Sequence, residues 1–402
     1  MTLKLSLKNV MRNKRRTLIT TAVISVGVSM LLLALAYTNY VDWGVRESII
    51  HSSTGHFQVL TRDLAQKEEE KILQFGIENW QDLAGKISQL PNVKIVCPRI
   101  NFSGLGSTGD KSTGILVQAV EPEKELILGA EFIDRDAYNL LKAEPEGILL
   151  GPALAKLLNV KAGDMITIMT TTSDGALNAG DYKMVGTLST GVEEMDKRFA
   201  LLSIPSAKAL LVSEKVERLA VGLNETTDLP AAMNAAQSIL PSHMVMKLWN
   251  EVNADYEKIL NFFFQMIVFL LPVLMIIVWF STMNTVLMSV MERSAELATF
   301  RAMGTSRFRM FRMLFSEGVW IGIIGVVIGF ILEIIFAALI NQAQIMLPPP
   351  PGNTVGYALQ VRNTPGIFMF VGFLTILVVS LSTVLPARRI FRLSIVKAIR
   401  GQ

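Results

Sequence analysis

Four apolar runs decide most of what this chain can fold into. Leu18–Tyr37, Phe262–Val290, Val319–Ile340 and Ile367–Leu385 each offer close to the roughly 20 apolar residues that carry a helix across a bilayer. Backbone groups in lipid must be satisfied inside the segment, so each run reads as a helix. Between the first and second runs lie about 220 residues of ordinary globular composition, enough to bury a core of their own. The first run has a basic lead-in and an Ala-x-Ala at Ala34–Ala36, as a secretory signal would. Its apolar core is longer than the 7–15 residues of a signal, and it reads as a retained span. The expected fold is a membrane protein of four transmembrane helices, arranged 1+3, with a large α+β extracytoplasmic domain inserted between spans one and two.

Charge orients this layout. Lys4, Lys8, Arg12, Lys14, Arg15 and Arg16 precede span one; Arg293, Arg301, Arg307, Arg309 and Arg312 separate spans two and three. Arg388, Arg389, Arg392, Lys397 and Arg400 follow span four, whereas the connection between spans three and four holds only Arg362. The positive-inside bias places both termini in the cytoplasm and the large domain outside it. Residues 41–260 carry 21 Lys and Arg against 30 Asp and Glu. The net charge of +4 therefore conceals a basic membrane face and an acidic outer domain, and nucleic acid is excluded as a partner.

The expected segments are a cytoplasmic amphipathic helix at 1–17, span one at 18–40, the outer domain at 41–260 and span two at 261–290. A cytoplasmic segment follows at 291–313, then span three at 314–340, an outer loop at 341–366, span four at 367–386 and a tail at 387–402. Residues 1–17 set Leu3, Leu7, Val10 and Met11 against basic residues, a pattern suited to lying along the inner leaflet.

Within the outer domain, strands are expected at 57–61, 93–102, 114–120, "GILL", "DMITIMTT", "DYKMVGTLS" and "FALLSI". Helices are expected at "LAQKEEEKILQFG", "NWQDLAGKISQLPNV", "PALAKLLNV", "PSAKALLVS" and "LPAAMNAAQSIL", with Gly and Asp marking turns. Residues 247–261 read as a helix running unbroken into span two, a lever between membrane and outer domain.

Chemistry is sparse. The only cysteine, Cys97, rules out an intrachain disulfide. His51, His56 and His243 are badly spaced for shared metal ligation, and no metal is expected. The loop "GLGSTGDKST" spaces Gly104 and Gly109 as a phosphate-binding loop does, but Asp110 occupies the lysine position and Lys111 comes one residue late. Its flanks read as strands, so it is a hairpin loop. No paired carboxylates, Ser/His pair or Cys/His cluster supports catalysis; the chain is expected to be no enzyme and to bind no cofactor directly.

Polar and small residues inside the spans are the informative ones. Gly318, Gly322, Gly325 and Gly329 fall on one helical face, where small residues admit a close neighbour. Asn284 and Glu333, with Gln265, are the main polar interruptions. A charge in the hydrocarbon costs about 2.5–3.5 kcal/mol on insertion scales, so Glu333 should face protein, water or the outer interface. "PPPPG" at 348–352 is a stiff extended piece of the outer loop.

The segment "MERSAELATFRAMGTSRFRMFRMLFSEG" resembles the cytoplasmic segment of FtsX-type ABC permeases. Glu296, Leu297, Arg301, Ala302, Met303, Gly304, Thr305 and Ser306 fall on that pattern, with Ala298 in place of the usual Gly and Thr305 in place of the usual Ala. The resemblance implies that this segment couples to an ATPase subunit. Locally, Gly304 can end one helix in a left-handed turn while Thr305 or Ser306 caps the next. "NVMRNKRRTLITTAVISVGV" and "LPARRIFRLSIVKAIRG" also resemble the family's flanking motifs. "GILLGPALAKLLNVKAGDMITIM", "VQAVEPEKE" and "STGVEEMDKRFALLSIPSAKALL" look like the periplasmic domain of lipoprotein-releasing permeases (the LolC/LolE type); MacB-type permeases share the first.

What the resemblance implies is a bacterial inner-membrane permease working by mechanotransmission. ATP would act through a separate ABC ATPase in two copies, and a second permease chain, identical or homologous, would complete the pathway. The cargo would be a lipoprotein or another lipid-like amphiphile, with a periplasmic adaptor or carrier as a further possible partner. The alternatives are a MacB-like tripartite efflux system and FtsX-like signalling to a cell-wall hydrolase. One departure stands out: in the carrier-recruiting lipoprotein permease a long, proline-bearing hairpin follows the "GDMITIM" strand. Here "TTTSDGALNAGDYK" is shorter and lacks proline, which weakens direct hand-off to a soluble carrier.

Overall fold

A computed structural model describes residues 14–66, 74–129, 132–348 and 357–390. The chain divides into two units, one holding the spans and one made of residues 43–258 with 347–357.

Among the described residues four helices are long and apolar enough to cross a membrane: TM1 (Lys14–Ile49), TM2 (Ala254–Glu292), TM3 (Arg307–Ala343) and TM4 (Pro365–Ser382). At about 1.5 Å per residue TM2 measures about 58 Å, well beyond the ~30 Å of hydrocarbon. The helices outrun the apolar runs because hydropathy marks what lies in lipid, not where backbone hydrogen bonding stops. TM4 breaks at Thr383, and a short helix, Val384–Ile390, follows. Ile24, Val28, Leu31, Met275, Val278, Ile321, Val371 and Val379 form the helices' common core.

The second unit is α+β. Among the described residues its main sheet has nine strands, β1 (Phe57–Thr61), β2 (Val93–Ser107), β3 (Ser112–Val120), β4 (Gly147–Leu150), β5 (Met165–Thr171), β6 (Leu177–Thr187), β7 (Phe199–Ser203), β8 (Arg218–Leu223) and β9 (Met244–Leu248), in the order β3-β7-β4-β6-β5-β2-β8-β1-β9. β2 is long enough to pair with β8 at its start and with β3 and β5 at its end. Side-chain alternation feeds two cores. Ile148, Leu150 and Leu202 face one cluster with Trp80, Leu154 and Leu210, whereas Leu149, Leu201 and Val120 face another with Tyr138 and Leu141. Helices therefore cover both faces of the β3-β7-β4 part.

Arg99 and Glu125 form a fully buried bidentate pair, Nε to Oε1 at 2.9 Å and Nη2 to Oε2 at 2.7 Å, tying β2 to the helix Pro122–Gly129. Burial pushes the nearby Cys97 thiol well above its ordinary value, which keeps it unreactive. His56 is buried, accepts from the Leu223 N–H at 3.1 Å through Nδ1 and is pushed down to about 4 by burial and then by His51. Among the described residues no His, Cys, Asp and Glu group could hold a metal.

The expected lever from residue 247 is corrected. Residues 244–248 are β9, registered on β1 from Phe57↔Leu248 to Thr61↔Met244. Trp249–Val252 is a separate short helix, Asn253 breaks it, and TM2 starts at Ala254. Sheet pairing and the burial of Trp249 against Tyr256, ring centres 4.5 Å apart, outweigh local helix propensity. The loop at 108–111 does join two strands, β2 and β3. Most of the amphipathic helix at 1–17, the centre of the "LAQKEEEKILQFG" helix, nearly all of "PPPPG" and most of the tail at 387–402 lie outside the described residues.

Candidate coupling segment and the packing of the spans

TM2 ends at Glu292, and after Arg293 a second helix, Ser294–Ala302, begins at once. The turn closing it is built on Gly304, whose φ of 89° is the left-handed region that side chains disfavour. The Thr305 N–H donates to Phe300 O at 3.0 Å and the Gly304 N–H to Arg301 O at 3.1 Å, satisfying carbonyls the helix leaves open. Ser306 then caps TM3, its hydroxyl accepting from the Arg309 N–H at 3.3 Å.

Ion pairs and a small core hold this turn rigidly on the spans. Arg293 donates through Nε to Glu296 and through Nη1 to Glu317 on TM3, both at 3.2 Å. Arg16 on TM1 donates to Glu292 at 3.0 Å. Leu297 is buried with Val286, Val290, Met310, Leu314 and Ala387.

The eight residues singled out from sequence therefore divide. Leu297 points inward and Glu296 binds Arg293, whereas Ala302, Met303, Gly304 and Ser306 are exposed and Arg301 and Thr305 are half-buried. Sequence reasoning missed the outward apolar side chains beside them, Phe300 at 41% and Phe308 at 69% exposure, which join Met303 at 68%. It also missed Arg293–Glu317. The signal was available: two aromatic residues interrupt a basic stretch where a solvated turn would carry none.

The glycine stripe is covered within the chain. A Cβ on Gly318 would strike Thr383, and one on Gly322 would lie 3.3 Å from Val379, both beside TM4. On Gly325 it would lie 2.5 Å from Ile24, and on Gly329 2.8 Å from Val28, both on TM1. TM3 is thus clasped by TM1 and TM4 at backbone distance, reinforced by the Ser25 hydroxyl donating to Gly325 O at 3.0 Å. Thr20 and Thr285 bond TM1 to TM2 at 2.8 Å. The close neighbours that the stripe admits are TM1 and TM4 of the same chain.

Glu333 is fully buried and accepts from Asn363 Nδ2 at 3.3 Å. It sits beneath residues 361–363, which are strapped to Asn341 through both Val361 backbone groups and to Ala36 and Asn39 of TM1. It faces protein rather than the interface. Asn284 is exposed on TM2.

A 1+3 set of spans, an α+β domain inserted after the first, and a helical turn between the second and third make up the layout that the resemblance to FtsX-type permeases implies. Residues 17–239 match the MacB-like periplasmic core domain and residues 263–395 the FtsX-like permease C-terminal family. The chain belongs to this family of permeases. It is 25% identical over 325 residues to the lipoprotein-releasing system transmembrane protein LolE of Haemophilus influenzae, covering 78% of this chain and 75% of that one. It is 20% identical to the LolC protein of Neisseria meningitidis serogroup B, again over 78% of this chain and 75% of that one. Among solved structures, the periplasmic region of MacB from Actinobacillus actinomycetemcomitans is 10% identical, with a TM-score of 0.35, over 52% of this chain and 95% of that one.

Proposed function

We propose that the chain is the permease subunit of an inner-membrane ABC transporter that extracts a lipoprotein or lipid-like amphiphile, with ATP hydrolysis in a separate ATPase. The observation that carries this reading is the 293–306 turn. It presents Phe300 and Met303 outward, beside the exposed Phe308 of the first turn of TM3, from a base fixed by Arg293 and Leu297. Exposed apolar side chains on a rigid support mark a protein contact, and the charge bias favours the cytoplasmic side for them and for both termini. Closure of two ATPase subunits would push this turn, and the pinned ends of TM1, TM2 and TM3 would carry the push outward.

A second permease chain, identical or homologous, completes the pathway. TM2 is the least covered of the four helices and turns Asn284 outward among Ile277, Phe280 and Met288; a polar side chain there favours a helix neighbour over lipid. Apart from Gln265 and Glu333, the polar side chains of the spans are mainly Ser and Thr hydroxyls, which suits an acylated cargo entering sideways better than a soluble one.

The β5–β6 hairpin supports release without docking of a soluble carrier on that hairpin. Its tip is tied to the end of the helix Ile204–Leu211, with the Ser173 N–H on Leu211 O at 3.1 Å and Asn178 Nδ2 on Leu210 O at 2.8 Å. The coupling assignment is tested by placing a photoreactive residue at Phe308 and, as a control, at Leu177. Crosslinking to the ATPase from Phe308 alone is expected. Equal crosslinking from Leu177, or none from Phe308 in an ATPase-stimulating complex, would refute it.

A further inference from the structure

Glu333 interrupts the apolar run of TM3, and its carboxyl is only half satisfied. The side chain is fully buried. Oε2 accepts from Asn363 Nδ2 at 3.3 Å, whereas Oε1 is buried without a hydrogen-bond partner among the described residues. A single neutral amide leaves the charge of a buried carboxylate unbalanced, the most costly state for a buried group. Ionisable side chains inside a membrane are paired or mark ion and proton sites.

A second oxygen in the same seam lacks a partner. TM1 and TM3 run parallel and meet in steps of four: Gly325 packs against Ile24, and Gly329 against Val28 and the Ser25 carbonyl. Ala337 and Ala36 continue the step into a shared cluster. The same register sets Ser29 and Leu32 opposite Glu333. Ser29 is 3% exposed, and its Oγ is buried without a hydrogen-bond partner among the described residues. A serine inside a helix can donate to the carbonyl four residues back, as Ser25 does to Thr21 O at 2.6 Å; Ser29 does not. Two unsatisfied oxygens thus sit on facing helices. Asn363, exposed and bonded to the carboxyl, joins them to the surface.

We propose that Glu333 holds a monovalent cation, a proton or a sodium ion, between its Oε1 and the Ser29 hydroxyl, with Asn363 at the entrance. One positive charge balances the one carboxylate, and both groups are hard oxygen ligands. A divalent ion would want further carboxylates, and among the described residues none gathers around Glu333. The bound cation fastens TM1 and TM3 to the strap at 361–363. Its loss leaves a bare carboxylate in the seam and loosens all three.

The test uses the full chain in phosphatidylcholine nanodiscs, with sodium chloride exchanged for choline chloride at constant ionic strength. Two quantities are read: the thermal midpoint and the infrared bands of the carboxyl. If sodium is the occupant, the midpoint rises by about 2–4 °C as sodium replaces choline. Glu333→Gln, neutral and nearly isosteric, should not respond, and Ser29→Ala should need about tenfold more sodium for the same rise. If a proton is the occupant, the midpoint ignores sodium. The infrared spectrum then shows a carboxylic-acid C=O band that Glu333→Gln removes and Ser29→Ala moves to higher frequency. Ser29→Ala, which keeps the carboxyl, decides both cases if Glu333→Gln fails to fold. An ionised carboxylate indifferent to sodium, with no acid band, would overturn the proposal. So would a sodium response in Glu333→Gln equal to that of the unaltered chain.

Discussion

Gly304 offers a perturbation whose cost can be worked from geometry. A Cβ there would meet nothing within 4 Å, so no clash complicates the reading. What remains is conformational: φ of 89° is strained for any L side chain. Gly304→Ala should cost about 1–2 kcal/mol, and Gly304→Val, β-branched, nearer 3 kcal/mol. Gly304→Asn should cost least of the three, because its short polar side chain tolerates the left-handed region. The turn can relieve the strain by moving, and that misplaces Met303 and Phe308 relative to the core around Leu297. If the ATPase binds only the native turn, its affinity falls by the same free energy: about 5–30-fold for alanine and on the order of 100-fold for valine. Titration of purified ATPase onto the permease in nanodiscs, with ATP turnover measured alongside, reads this order directly. The melting temperature of the permease should scarcely change, since the turn is at the surface. Equal affinity across glycine, asparagine, alanine and valine would refute the reasoning, as would a loss that tracked global unfolding.

Three other outcomes follow from the packing and the charges. Gly325→Val should destabilise the span bundle by about 1–3 kcal/mol through overpacking against Ile24, read as a lower denaturation midpoint in detergent, whereas Gly366→Ala, with open space around it, should not. Arg293→Ala should cost about 1–3 kcal/mol by removing the cation that Glu317 and Glu296 share, and the paired replacement Arg293→Met with Glu317→Leu should recover part of it; the thermal midpoints distinguish the two. His56 is neutral when folded and protonates below about 4, against 6.5 for the free side chain. The unfolded chain therefore binds the extra proton, and stability falls as pH drops from about 6.5 to 4, by up to about 3 kcal/mol. Urea unfolding of the protein across that window should show the slope, and His56→Asn should flatten it.

The spans and most strands were legible because the pattern that specifies them is local. Twenty apolar residues, or the alternation in Ile166–Thr167–Ile168, settle their own conformation without help from distant parts of the chain. Gly304 and Ser306 were legible for the same reason, since turn and cap chemistry are decided within a few residues. β9 was not: Met244–Leu248 becomes a strand only because β1 lies beside it. The central strand Arg218–Leu223, buried between β1 and β2, likewise takes its form from distant partners, whereas the helix Arg135–Ala143 carries its own cap, Asp134 accepting from the Asp136 and Ala137 N–H groups, a local signal that sequence reasoning missed. The direction of the glycine stripe was equally hidden. Four glycines predict close packing, but only the fold shows that Ile24, Val28, Val379 and Thr383 of the same chain fill it. Arg293 read as one cation among many until Glu317 appeared beside it.

The central claim is that ATP-driven motion acts on a lipid-anchored cargo. The direct measurement is ATP turnover and release by the permease reconstituted in liposomes with its ATPase, using one peptide in triacylated and unacylated forms. The triacylated peptide should stimulate turnover and leave the bilayer only when ATP is hydrolysed, and the unacylated form should do neither. Stimulation and movement of the soluble form alone would contradict the account and make the protein an efflux permease.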